Sequence, residues 1–276
     1  MENKQLEELK RIELDLLKAF IDVCKKLNLQ YFVAGGTAIG TIRHKGFIPW
    51  DDDIDLMMFR DEYNVFINNA QELLPPGYFL QTYSTDTGYM ELFAKIRNSN
   101  TTFIEKQIQN IDMNHGVFID IFPIDGYPSG CKGRHLLFRG KLTKLAVASN
   151  YFPKTFKRVV LGNLCKILLF SFNKKTLLRR FDKACSKFRA KDHYQSICYG
   201  GVWGKKEIFL TEHCGDGRIM RFEDVDVFVP QNIEDYLTMK YGDFMQLPPK
   251  EKQHSHHGTT VIDTEKPYTF YLSKKK

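Results

Sequence analysis

The stretch from Tyr31 to Met58, YFVAGGTAIGTIRHKGFIPWDDDIDLMM, restricts this chain more than any other. It places a Gly-Gly pair, the basic triplet Arg43-His44-Lys45 and four carboxylates within one short segment. Tyr31 to Ala34 reads as a short apolar strand, Gly35-Gly36 as a tight turn and Thr37 to Arg43 as a first turn or two of helix. Gly46 and Pro49 break the chain before a second strand, Ile54 to Phe59. Side chains alternate across a strand, so Asp53 and Asp55 share one face while Ile54 and Leu56 take the other. Asp51 joins that face if the strand begins early, and Asp52 points away. Neighbouring carboxylates repel each other, and a hard divalent ion with oxygen ligands is the usual solution. Glycines lack Cβ and let the N–H groups at a helix start approach an anion. A phosphate site and a metal site are therefore expected side by side. Taken singly, a Gly-Gly is ordinarily a turn and an Asp-x-Asp ordinarily a solvated strand end; their succession as strand, turn, helix and strand is what is specific.

The remaining chain bounds the answer. Its 276 residues with 43% hydrophobic content can bury one substantial core, alone or with a large insertion, and the net charge of +7 favours anionic partners. The N-terminal MENKQLEELKRIELDLLKAF mixes charge throughout, so no signal peptide is expected, and no run of eighteen apolar residues predicts a spanning helix. Six cysteines without Cys-x-x-Cys spacing argue against a zinc ribbon or a disulfide scaffold and make a reducing cytoplasm the simplest home.

Residues 4–28 read as an amphipathic packing helix, with Leu9, Ile12, Leu16, Phe20, Val23 and Leu27 at three- and four-residue intervals. Arg60 to Leu74 reads as a second helix stopped by Pro75-Pro76-Gly77, and strand-like runs follow at Tyr78–Tyr83, Tyr89–Arg97 and Thr101–Glu105. Lys95 and Arg97 share a face and offer two cations to a phosphate chain; spacing alone equally fits a basic, solvent-facing strand edge. GVFIDIFPID, from Gly116 to Asp125, is apolar except for Asp120, and an aspartate inside such a strand needs a partner. Pro123 ends that strand in this reading, which makes Asp125 the weaker carboxylate.

From Cys131 to Lys191 the chain carries seventeen lysines and arginines against one acid, Asp182, interleaved with apolar runs. Two or three basic amphipathic helices are expected there. They suit an anionic membrane or a polyanionic glycan, or else form a helical lid on the sheet. No nucleic-acid recognition motif is present. Beyond it, Glu207–Leu210 and Phe222–Val229 read as strands and Asn232–Tyr241 as a helix closed by Gly242. His254, His256 and His257 lie in a polar stretch, more in keeping with a loop over the substrate or against the core than with a zinc site.

The order hydrophobic-Gly-Gly, then Asp-hydrophobic-Asp-hydrophobic, resembles the nucleotidyltransferase fold of the DNA polymerase β type. GGTAIGTIRHKGFIPWDDDID resembles the LicD/fukutin family of phosphotransferases within that fold, and FAKIRNSNTTFIE, GVFIDIFPIDG and YLTMKYGDFMQLPPKEKQHSHH extend the likeness to both ends of the chain. The resemblance implies an α+β fold, a mixed sheet with flanking helices. It divides the chain into a core over 1–130, a basic helical insertion over 131–191, and a segment over 192–276 that completes the same domain.

The resemblance also implies a bacterial enzyme. It would transfer a phospho-alcohol, phosphocholine from CDP-choline or the unit of another CDP-alcohol, to a sugar hydroxyl of a cell-surface glycan or its lipid-linked precursor, releasing CMP. Asp53, Asp55 and Asp120 would hold Mg2+ or Mn2+, and Asp120 could also accept the attacking hydroxyl's proton. Gly35, Gly36 and Thr37 would cradle phosphate oxygens, with Arg43, Lys45, Lys95 and Arg97 supplying positive charge and His44 and Trp50 also binding substrate. A choline head group needs aromatic faces, for which Trp50, Tyr89, Phe93, Phe118 and Phe122 are candidates. The basic insertion would fit a lipid-linked acceptor at the inner membrane face. Nucleotidyl transfer from an NTP and non-catalytic glycan or membrane binding are the competing readings.

Overall fold

A computed structural model describes residues 3–149, 155–201, 203–255 and 257–272. Helix α1 (Asn3–Leu27) buries Leu9, Ile12, Leu16, Phe20 and Val23, the stripe that its periodicity predicts. Strand β1 (Phe32–Val33) leads into α2 (Gly35–Arg43), and β2 (Asp55–Phe59) into α3 (Arg60–Leu73). Strands β3 (Tyr78–Gln81), β4 (Ala94–Asn98), β5 (Thr102–Glu105) and β6 (Val117–Gly126) follow. Helices α4 (Gly130–Ala148), α5 (Phe156–Leu168) and α6 (Lys174–Cys185) form the basic segment. The chain closes with β7 (Gln195–Ile197), β8 (Ile208–Leu210), β9 (Arg218–Phe222), β10 (Val225–Val229), α7 (Ile233–Tyr241), β11 (Thr259–Asp263) and α8 (Tyr268–Leu272).

The main sheet runs β1-β2-β6-β4-β3, with β2 and β6 parallel and the other neighbours antiparallel. β7 continues from the far end of β6 and pairs with β8, while β11 pairs with β5. This mixed sheet with flanking helices is the expected α+β class. Its two faces have opposite characters. Leu56, Met58, Leu80, Ile96, Ile119 and Ile121 alternate onto one face, where α1 and α3 cover them. Asp55, Lys95, Arg97 and Asp120 alternate onto the other.

Three strand readings differ from the structure, the first being Tyr89–Arg97, which is strand only from Ala94. β6 runs through Pro123 to Gly126, because its ladder with β4 stops at Ile121 and the segment beyond presents an edge where a residue without N–H is tolerated. The run Phe222–Val229 is not one strand: Glu223, at φ 50°, turns the chain between β9 and β10.

The basic segment packs on the core through Leu136, Val147, Leu178 and Phe181, which meet Leu92, Ile197 and Tyr199. Arg60 pins it electrostatically. Its guanidinium donates to both oxygens of Asp125, at 2.8 and 2.6 Å, and to Asp182 of α6 at 2.9 Å. The Tyr83 hydroxyl completes the network, donating to Asp182 at 2.8 Å. Asp125 is thus the fully buried partner of an arginine.

Candidate active site

The start of α2 and the start of β2 are stitched together before any chemistry is considered. Ala34 N donates to Asp55 O at 2.9 Å, and Asp55 N donates to the Thr37 hydroxyl at 2.8 Å. Thr37 O in turn accepts from the Thr41 hydroxyl at 2.7 Å. Gly35 has φ +52°, and a Cβ there would overlap Asp55 Oδ2; a Cβ on Gly36 would overlap Asp51 Oδ2. The two glycines therefore admit two carboxylates against the N-terminal turn of a helix, and only residues without a side chain can do so.

The parallel register of β2 and β6 sets Asp55 beside Asp120, and Asp120 N donates to Ile54 O at 2.8 Å. Across the antiparallel β4–β6 ladder, Lys95 faces Asp120 and its Nζ lies 2.5 Å from Asp120 Oδ1. Asp53 precedes the strand proper, and Asp51, Asp53 and Asp55 alternate as half-buried residues around the buried Asp52 and Ile54.

Burial is the first cause of a raised pKa at each of these carboxylates, and their mutual repulsion adds to it. Asp51 is pushed up to about 7, with Asp55 and Asp52 the next contributors. Asp53 is pushed up to about 8, chiefly by burial and Asp51. Asp55 rises well above the ordinary range through burial, Asp53 and Asp120, opposed by Lys240 and Lys95. Asp120 is raised by burial and pulled back by Lys95. Among the described residues no three His, Cys, Asp or Glu side chains already converge as a metal-ion cage. The donor set nevertheless fits a hard cation: three or four neighbouring carboxylates, all oxygen, whose mutual repulsion either protons or a divalent ion would relieve.

The other predicted residues fall into three groups. Thr37 is built into the site as the acceptor for Asp55 N. Arg43, at the end of α2, feels the charge of Asp51 and donates to Phe244 O at 2.7 Å. His44 lies beside it, with the Trp50 ring 6.5 Å away, whereas Lys45 is exposed with φ 59°. Lys95 and Arg97 share a face, as expected, and both lie over the Phe118 ring, at 3.4 and 4.7 Å. The solvent-facing strand edge does not apply, since β4 is internal and both cations are buried. Arg97 is fully enclosed, donating to Gln81 Oε1 at 2.5 Å and Gly116 O at 2.7 Å.

Asp52 points away from its neighbours and into the C-terminal segment. The Ser255 hydroxyl donates to Asp52 Oδ2, and His257 Nδ1 lies 3.2 Å from Asp52 Oδ1. The His257 ring also stands edge-on to Phe103 and Phe118. Ser255 and His257 therefore latch the carboxylate loop, in keeping with the loop expected to contact the core; His256 lies outside the described residues, and His254 Nδ1 is 3.0 Å from Ser255 O, which accepts its hydrogen bond.

Two contributors, Glu13 and Lys240, escape a reading of the sequence by motif, while two of the expected aromatics are brought together. Glu13 of α1 is buried, feels the charges of Asp53, Asp52 and Asp51, and has one oxygen without a hydrogen-bond partner. Its signal was present, an acid on the apolar stripe between Ile12 and Leu16. Lys240 of α7 lowers Asp55 and pairs with Glu207 at 2.7 Å. Phe93 and Phe122, centroids 4.3 Å apart, form the tightest ring pair near Asp120, and Phe122 shares its face of β6. Lys95 Nζ lies closest over Phe118, 3.4 Å from its centroid, and also 5.3 Å from that of Phe93. Open clefts between α4 and α6 and between α1 and β11 include none of these carboxylates.

The comparisons with known proteins point the same way. Residues 28–175 match the family model described as LicD/FKTN/FKRP, nucleotidyltransferase domain. The chain is 31% identical to the lipopolysaccharide cholinephosphotransferase LicD of Haemophilus influenzae over 265 residues, covering 93% of this chain and 97% of that protein. It is 29% identical to an uncharacterized protein of Rickettsia prowazekii over 140 residues, 50% of this chain and 48% of the other. The match to the family model takes in both glycines, Asp53, Asp55, Lys95 and Asp120 and more than half of the sequence, and the chain belongs to the LicD/FKTN/FKRP family of nucleotidyltransferase-domain proteins.

Proposed function

We propose that this protein transfers phosphocholine from CDP-choline to a sugar hydroxyl of a bacterial surface glycan or its lipid-linked precursor, releasing CMP. The observation that carries the reading is the face shared by Asp55, Asp120 and Lys95 against the glycine-started helix α2. The whole-length similarity to a lipopolysaccharide cholinephosphotransferase supports phosphocholine as the group transferred and a glycan of the lipopolysaccharide class as acceptor.

Asp53, Asp55 and Asp120 would hold Mg2+ or Mn2+, which when bound offsets the negative charge of the donor diphosphate. The chain's own residues then do the following. The N–H groups of Gly36 and Thr37 open a helix whose dipole favours phosphate, and Arg43 adds a full charge nearby. The acceptor hydroxyl oxygen bonds to the phosphorus that carries choline, the bridging P–O bond breaks, and CMP leaves with that oxygen. Asp120, with Oδ1 engaged by Lys95, takes the hydroxyl proton on Oδ2. Phe93 and Phe122 offer ring faces to a quaternary ammonium, which has no hydrogen to donate.

The test is product analysis with CDP-choline, CDP-ribitol, CDP-glycerol and CTP, each with Mg2+ or Mn2+ and a glycan extract. Metal-dependent CMP from CDP-choline alone supports the reading. CMP from another CDP-alcohol changes the head group, pyrophosphate from CTP replaces the reaction with nucleotidyl transfer, and silence with every donor favours a binding protein.

A further inference from the structure

Helix α5 meets the rest of the protein along one narrow side. A Cβ on Gly162 would overlap the Ser149 side chain at the end of α4, and Cys165 is buried with Ala146 and Leu177. The opposite side is apolar and bare. Val160, Leu161, Leu164, Ile167 and Leu168 recur at the intervals of a single helical face, and all are exposed, Leu168 to 63%. Phe156 at one end and Phe170 just past the other, 86% and 87% exposed, prolong the row. Protein surfaces ordinarily scatter such residues singly, and a contiguous row marks a docking surface.

Charge indicates what covers it. Lys157 within α5 and Lys175, Arg179 and Arg180 of α6 are exposed, and Arg180 donates to Phe170 O at the end of the row at 3.2 Å. The one acid of the segment, Asp182, is engaged inward by Arg60 and Tyr83. An apolar stripe on a segment with seventeen lysines and arginines, whose one acid is engaged inward, complements a layer of anionic head groups above acyl chains. Among the described residues no helix is long and apolar enough to cross a membrane, so such a helix would lie in the interface.

We propose that α5 and the start of α6 dock this protein on the surface of an anionic phospholipid bilayer, with the α5 stripe sunk at the acyl boundary. This does not depend on the reaction assigned above. The dock is joined to the candidate site, because Lys144 of α4 donates to Gly201 O at 2.6 Å and to Gly200 O at 3.2 Å, and Gly200 abuts Phe93 and Phe122.

The test is flotation of the full chain with vesicles of phosphatidylcholine alone and of phosphatidylcholine mixed with phosphatidylglycerol, read beside analytical ultracentrifugation. Binding to the mixed vesicles only is expected. Leu164→Asp with Leu168→Asp should abolish it, and Lys157→Gln with Lys175→Gln should weaken it about fivefold per cation. These side chains are exposed, so unchanged circular dichroism certifies the fold of each variant. Failure to bind the mixed vesicles overturns the proposal, as does equal binding to both. A dimer that Leu164→Asp with Leu168→Asp dissolves, without vesicle binding, would make the stripe a self-association surface instead.

Discussion

Gly35 and Asp55 occupy one space: the Asp55 carboxylate fills the volume in which any side chain at position 35 would sit. Gly35→Ala must therefore displace Asp55, and it also places a Cβ at φ +52°, where L residues are strained. A displacement of about 1 Å at a catalytic group costs on the order of a hundredfold in rate. Gly35→Ala is expected to lose about that factor in CMP release while its circular dichroism stays native. Near-full activity would show that Asp55 need not sit where α2 begins.

The carboxylate cluster predicts an unusual pH dependence of stability. Asp51 and Asp53 ionise near 7 and 8 in the folded protein, against about 4 in an unfolded chain. Between these values the folded state holds protons that the unfolded state has released, so stability falls as pH rises through that window. His257 acts in the same direction: burial lowers its pKa, but the Asp52 hydrogen bond and the nearby carboxylates outweigh burial and lift it to about 9. Its contribution is complete below about 6.5 and gone above about 9. Without divalent ions, thermal denaturation should show Tm falling from about pH 5 to about 9, and Mg2+ should restore it most at the alkaline end. A Tm that rises with pH in chelator would contradict the assigned repulsion.

Arg60 carries a structural prediction separable from catalysis. Removing one member of a buried ion pair strands the other, at a cost of about 3–5 kcal/mol. Arg60→Met leaves Asp125 without its partner and frees Asp182 of α6. Urea denaturation is expected to show a loss in that range, with α6 becoming the first element to lose amide-exchange protection. A loss under about 1 kcal/mol would mean that the network contributes as little as a surface pair.

The latch on Asp52 should tune metal use. Groups that orient a ligand loop typically change metal affinity or activity by about 10–100-fold when removed. Ser255→Ala is expected to raise the Mg2+ concentration for half-maximal activity about tenfold, with little change in rate at saturation. An unchanged Mg2+ requirement would reduce Ser255 to a packing contact.

Much of this was legible because the site is local. Gly35, Gly36, Thr37, Asp53 and Asp55 lie in one strand-turn-helix-strand segment, where alternation and glycine chemistry determine which groups face each other. Asp120 was legible as the lone acid in an apolar strand, although its register with Asp55 and Lys95 is a pairing that spacing cannot supply. Arg97 illustrates the limit. Alternation put it on the face of Lys95, but its enclosure by Gln81 and Gly116 depends on the antiparallel neighbour β3 and on the chain between β5 and β6. Ser255 and His257 reach Asp52 across two hundred residues, and Glu13 reaches the site because α1 packs under the sheet. Such contacts follow from topology rather than from pattern.

The central claim is that Asp55 and Asp120, on adjacent parallel strands, serve one phosphocholine-transfer centre. The most direct measurement incubates choline-labelled CDP-choline and Mg2+ with a glycan acceptor and wild type, Asp55→Asn or Asp120→Asn protein. Label in the glycan with equimolar CMP from wild type, and neither product from the two folded variants, is the predicted result. Wild-type-level label from either folded variant would contradict it.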